Sequence, residues 1–190
     1  MQISGIYIFF VVMAIILGSC GSKVETTEIK EFRISLAEGD VKLVPLLKFL
    51  TKAYNEQSGI AALDYVDSPD QANSRIFLVE GLEQRDGKVG WGQWFAESET
   101  SGVNLPGSKV DKKTKYTLQV EFDAAFFREH SRIMDNGQPD IDVMKLFSHE
   151  IGHGFQMEHH PDKRDVMYFD VTGDKNFSSY WPRVRAFFNN

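Results

Sequence analysis

The chain has 190 residues, 42% apolar and 25% charged, and Lys+Arg 21 against Asp+Glu 27 leave a formal charge of −6. That acidic balance argues against nucleic acid as a main partner, and the length and apolar content suit one domain with a sizeable core. A single cysteine excludes an internal disulfide framework.

From Ile3 to Gly18 the chain is apolar and uncharged, shorter than the 18 or more residues expected of a membrane-spanning helix, and it stops at Leu17-Gly18-Ser19-Cys20. This ending resembles a bacterial lipoprotein signal, in which the cysteine receives lipid and becomes the new N-terminus. The resemblance implies a signal peptide over residues 1–19, lipid on Cys20 and anchoring to a membrane of the cell envelope, on its periplasmic or surface face. An uncleaved signal anchor is the alternative; both place the folded part outside the cytoplasm. Residues 20–30 read as a lipidated polar tether, and residues 31–190 as the folded domain.

Within that domain Phe32–Ala37 alternates like a strand. Leu43, Leu46, Leu47, Leu50 and Tyr54 mark an amphipathic helix from near Pro45 to Gly59. Strand-like runs follow at 61–66, 75–81, 89–95 and 116–122, so the fold expected is α+β, a twisted five-stranded sheet with two long helices. In the third of these runs Gly90 and Gly92 would let a peptide backbone approach an exposed sheet edge, or the run is an ordinary strand with a tryptophan in the core. Asp135-Asn136-Gly137 with Asp140 and Asp142 gathers oxygen ligands without the spacing of a calcium loop; a turn and a helix cap explain it, and calcium is not expected.

Asp140 is a plausible N-cap for a second long helix, whose Ile141, Val143, Met144, Phe147, Ile151 and Phe155 recur at three to four residues. Its other edge carries His149-Glu150-Ile151-Gly152-His153. Residues four apart share a helix face, so His149 and His153 can present two imidazoles to one metal ion, with Glu150 beside them in reach of a water that the ion activates. A catalytic zinc site keeps three protein ligands and one open position. His159 can be the third if the helix ends and the chain reverses; His160 and Asp162 are rivals.

The run H-E-I-G-H-G-F-Q-M-E-H, followed by Met167, resembles the metzincin metalloproteases, whose signature is H-E-x-x-H-x-x-G-x-x-H with a methionine turn. The short interval from His159 to Met167 and the Met167-Tyr168 pair are most similar to the matrixin branch. The resemblance implies a zincin-like, mostly parallel sheet with a small C-terminal subdomain, one zinc on His149, His153 and His159, Glu150 as general base, and Met167 as a hydrophobic floor. It implies a zinc endopeptidase acting on protein or peptide substrates, expected to be a monomer. Tyr168, Phe169 and Val171 would wall the substrate pocket. Only His130 precedes the motif, so no second, structural zinc is expected. Gln156 stands where the family has glycine, and a side chain there costs about 1–2 kcal/mol if the backbone is left-handed. The alternative function is a surface lipoprotein that keeps the metal fold as a binding or regulatory module with little turnover.

Overall fold

A computed structural model describes residues 23–83, 88–102, 108–131, 140–171 and 173–189. Cys20, the signal segment and the Asp135-Asn136-Gly137 turn lie outside them. The protein is α+β, with six strands among the described residues, β1 (Lys23–Ile29), β2 (Phe32–Glu38), β3 (Leu63–Tyr65), β4 (Ser74–Val79), β5 (Gly90–Ser101) and β6 (Lys109–Asp123), and helices α1 (Val44–Ser58), α2 (Ala124–Glu129), α3 (Ile141–Gly154) and α4 (Tyr180–Asn189). Among the described residues no helix is long and apolar enough to cross a membrane.

The described residues form two compact units. The larger holds residues 30–96 and 116–189. Its strands run in the order β6-β4-β2-β3, every pair parallel, with Ile34 opposite Ser74 and Ile76 opposite Val120. Alternate residues of three strands point to one core: Phe32 and Ile34 of β2, Ile76 and Leu78 of β4, Leu118, Val120 and Phe122 of β6 are all buried. Against them pack Leu47, Leu50 and Tyr54 of α1 and Phe147 and Ile151 of α3. Helix α1 ends, as its sequence requires, on Gly59 in the left-handed region at φ 73°. Helix α4 adds aromatic rings, Phe187 stacking on Phe155 at 5.1 Å.

The smaller unit contains β1 and Glu97–Lys115, where β1 pairs in parallel with Lys109–Lys115. Six strands therefore replace the five expected, because residues read as polar tether form β1. Its Lys-Val-Glu-Thr-Thr-Glu-Ile sequence has no buried face, so there is no hydrophobic alternation to detect. The backbone ladder and exposed contacts such as Glu25 with Lys109, 2.6 Å, hold it. Strands β5 and β6 also outrun their expected limits, β5 through exposed residues at 97–101 and β6 through a stretch at 109–115 in which only Val110 and Thr114 are buried.

Two smaller expectations also change. Ile141 is half exposed and does not belong to the buried stripe of α3. Of the β5 tryptophans, Trp94 is 41% exposed and Trp91 half-buried, so neither is a core residue.

Candidate metal centre

Helix α3 begins where Asp140 caps it, its carboxylate accepting from the backbone N of Asp142 at 2.9 Å. After Gly154 the chain reverses. Phe155 N donates to Ile151 O and Gly152 O, Met157 N reaches back to Gly152 O at 3.0 Å, and Gln156 takes φ 64°, the one non-glycine positive φ among the described residues. The left-handed turn thus forms on glutamine, and it returns His159 to the face that carries His149 and His153.

The three imidazoles converge. Nε2 of His153 lies 3.1 Å from Nε2 of His149 and 3.2 Å from Nε2 of His159. His149 Nδ1 donates to the Val166 carbonyl at 2.7 Å and His153 Nδ1 to the Met157 carbonyl at 2.9 Å. A carbonyl can only accept, so both Nδ1 atoms hold the proton and both Nε2 atoms present lone pairs. Burial lowers the pKa of His149 to about 4, against the Val166 carbonyl, with His153, His159 and Lys175 adding to the fall; burial likewise lowers that of His153. Neutral imidazoles with lone pairs this close repel one another unless a cation lies between them. Tetrahedral zinc at about 2.0–2.1 Å spaces neighbouring donors by roughly 3.3 Å, so the trio fits that ion.

His160 and Asp162 stay out of the cluster. His160 N donates to Met167 O at 2.8 Å and its ring accepts from Asp162 N. Met167 is fully buried, with Sδ pressed against Gly152 between the two helical histidines, so that a Cβ at Gly152 would collide with it.

Glu150 is 5% exposed, and burial pushes its carboxyl up to about 8, with Lys88 acting in the opposite sense. It lines a cavity of about 420 Å³ together with the three histidines, Leu146, the Lys88–Gly92 segment, Phe169, Asp170 and Val171. Of the expected pocket walls, Phe169 and Val171 reach this cavity. Tyr168 turns aside, its ring 4.4 Å from Phe169 and under the Lys175 ammonium at 4.8 Å. A second hollow, about 620 Å³, runs from Gly92, Gln93 and Trp94 of β5 past His153 and His159 to Gln156 and Glu158.

The β5 glycines do something the sequence did not suggest. A Cβ on Gly90 would meet Glu150 Oε1 at 2.7 Å and Cγ at 2.8 Å, and one on Gly92 would collide with the Glu150 carbonyl. Their smoothness admits the protein's own helix. Asp165, Ser179 and Arg183 carry no sequence signal either, since nothing in their spacing marks them.

His130, Asp140 and Asp142 also bring potential ligand atoms together. Asp140 already caps α3 and Asp142 pairs with Lys145 at 3.1 Å, so the group has a structural explanation.

No protein-family model matches the chain, and no curated protein matches it in sequence. Among solved structures, an archaemetzincin from Methanopyrus kandleri superposes with a TM-score of 0.44 at 12% identity, over 85% of this chain and 97% of that one. At that distance the geometry of the site, not the neighbour, carries the functional reading.

Proposed function

We propose that the chain is a zinc-dependent endopeptidase of metzincin type, with His149, His153 and His159 holding one ion and Glu150 as general base. The observation that carries this is the convergence of three imidazole Nε2 atoms, two of them with the proton held on Nδ1, beside a buried carboxyl on one open cavity. Zinc, when bound there, polarises the scissile carbonyl and makes a water nucleophilic near neutral pH.

The remaining work belongs to the chain's own groups. Val166 and Met157 carbonyls fix the tautomer and aim of two imidazoles. Glu150, one residue after His149, faces the same cavity and takes the proton of the attacking water, then passes it to the leaving amine. Burial raises its proton affinity, which makes it a stronger base, and Lys88 works in the opposite sense. β5 pairs only with β6 among the described strands and borders both hollows, so an extended peptide has a strand edge to follow past Glu150. The short His159-to-Met167 interval supports a matrixin-like site, and the Cys20 context supports a lipid-anchored enzyme of the bacterial envelope.

The full chain purified in detergent should contain one zinc and cleave casein or gelatin in a chelator-sensitive way. Glu150→Ala should keep the zinc and lose about 10²–10⁴-fold in rate. The reading of the site as a non-catalytic binding module gains from one observation, the near-complete burial of Glu150. Zinc present without cleavage in the parent chain would establish that reading instead.

A further inference from the structure

We propose that α4 sets the geometry of the histidine site through Asp165, a positioning residue that touches none of the three imidazoles. The inference rests on reading those imidazoles as a metal site. Asp165 is 2% exposed, and its carboxylate is fully engaged. Nη2 of Arg183, on α4, donates to both oxygens at 2.6 and 2.7 Å, the Ser179 hydroxyl donates to Oδ2, and the backbone N of Met167 donates to Oδ1 at 2.8 Å.

Three consecutive residues then divide the work. Asp165 is anchored to α4. The carbonyl of Val166, next in the chain, orients His149 at 2.7 Å. The carbonyl of Met167 holds His160 N at 2.8 Å, and so fixes the segment that presents His159. Two of the three histidines therefore depend on a loop whose polar anchor is the Asp165–Arg183 pair. α4 also reaches the helical histidines from behind: the Tyr180 hydroxyl donates to the carbonyl of Ser148, and its ring packs 3.1 Å from where a Gly152 Cβ would stand.

Removing Arg183 leaves Asp165 buried and charged without its cation. The carboxylate must then move toward water, and Val166, one peptide away, moves with it. Groups that orient metal ligands in this way cost about 10–100-fold in metal affinity when lost. Because one nitrogen serves both oxygens, a lysine ammonium can replace the guanidinium.

The test compares zinc affinity of the full chain by chelator competition, the visible spectrum of the cobalt-substituted protein, and the melting temperature without metal, in the parent, Arg183→Met, Arg183→Lys, Ser179→Ala and Leu50→Ala. Arg183→Met should bind zinc about 10–100-fold more weakly with an altered cobalt spectrum. Arg183→Lys should restore most of both, and Ser179→Ala should shift them less in the same direction. Leu50→Ala, in the core under α1, should lower the melting temperature and leave zinc affinity alone. Parent-like affinity and cobalt spectrum in Arg183→Met would overturn the proposal, as would an equal affinity loss in Leu50→Ala. If Arg183→Met does not fold, Ser179→Ala decides on the same criteria. A parent chain that binds no zinc sinks the proposed function and this inference together; tight zinc in the parent and every variant sinks only this one.

Discussion

Gly90 and Gly92 both lie against Glu150, yet adding a methyl group to each should have different consequences. At Gly90 the new carbon would stand 2.7–2.9 Å from Oε1, Cγ and Cδ of Glu150, whereas carbon atoms in contact sit at about 3.5–4.0 Å. The carboxyl must therefore retreat by roughly 1 Å, and a catalytic group misplaced by that distance costs on the order of 10²-fold in rate. The struck atoms are the end of a side chain, so the fold can yield. At Gly92 the atoms in the way are backbone, with the Glu150 carbonyl carbon at 3.0 Å and Cα at 3.2 Å, so helix or strand must move as a whole. Overpacking of that kind costs about 1–3 kcal/mol. Gly90→Ala should therefore keep its zinc and lose only one or two degrees of melting temperature, with kcat down roughly 10²-fold. Gly92→Ala should lower the melting temperature by about 2–10 °C. Steady-state peptide cleavage, zinc analysis and thermal melts on the two variants decide it. Unchanged kcat in Gly90→Ala would show that Glu150 need not stay where β5 holds it, and the general-base geometry would be wrong.

Gln156→Gly should stabilise the chain by about 0.5–1 kcal/mol, the relief of a left-handed side chain minus the extra freedom that glycine gains when unfolded. A thermal melt that shows a loss instead would mean that the glutamine side chain makes compensating contacts. The acid limb of stability should depend on Asp165. Burial alone would raise its pKa, but the Ser179 hydroxyl, the Met167 amide and Arg183 together hold it below the ordinary value. A carboxylate depressed in the folded state contributes stability above its unfolded pKa, near 4, and that contribution disappears as pH falls through the lower folded value. The melting temperature should thus drop below about pH 4, and the gap between parent and Asp165→Asn should narrow there. A gap that stays constant from pH 7 to pH 3 would contradict the assignment.

What the sequence made legible was whatever repeats or has fixed spacing. The alternation in β2 and β6 and the three-to-four spacing of α1 and α3 arise from one buried face, which is why those elements stand where their apolar residues indicate. The histidine trio was readable because helix geometry fixes His149 to His153 and the turn at Gln156 fixes the return. β1 was illegible because both its faces are wet, and backbone pairing with exposed contacts such as Glu25 with Lys109 holds it. Asp165 and Arg183 are 18 residues apart and meet only through the fold. The close approach of Gly90 to Glu150 likewise exists only after strand and helix are assembled.

Helix α4 is bound to distant parts of the chain: Tyr180 to Tyr54 across 126 positions, Arg185 to Ser58 across 127, and Lys30 to the Phe187 carbonyl across 157. Contacts of such separation form late, after the loop-closure entropy between them has been overcome. The histidine motif is therefore translated, and can become helical, before the clasp that completes its surroundings arrives. A nascent chain stalled after Met167 would carry the three histidines and Glu150 yet lack the contacts that α4 makes with Asp165, the Ser148 carbonyl and Gly152. On the function proposed above, a clip between Met167 and α4 should abolish cleavage while leaving His149, Glu150, His153 and His159 unaltered.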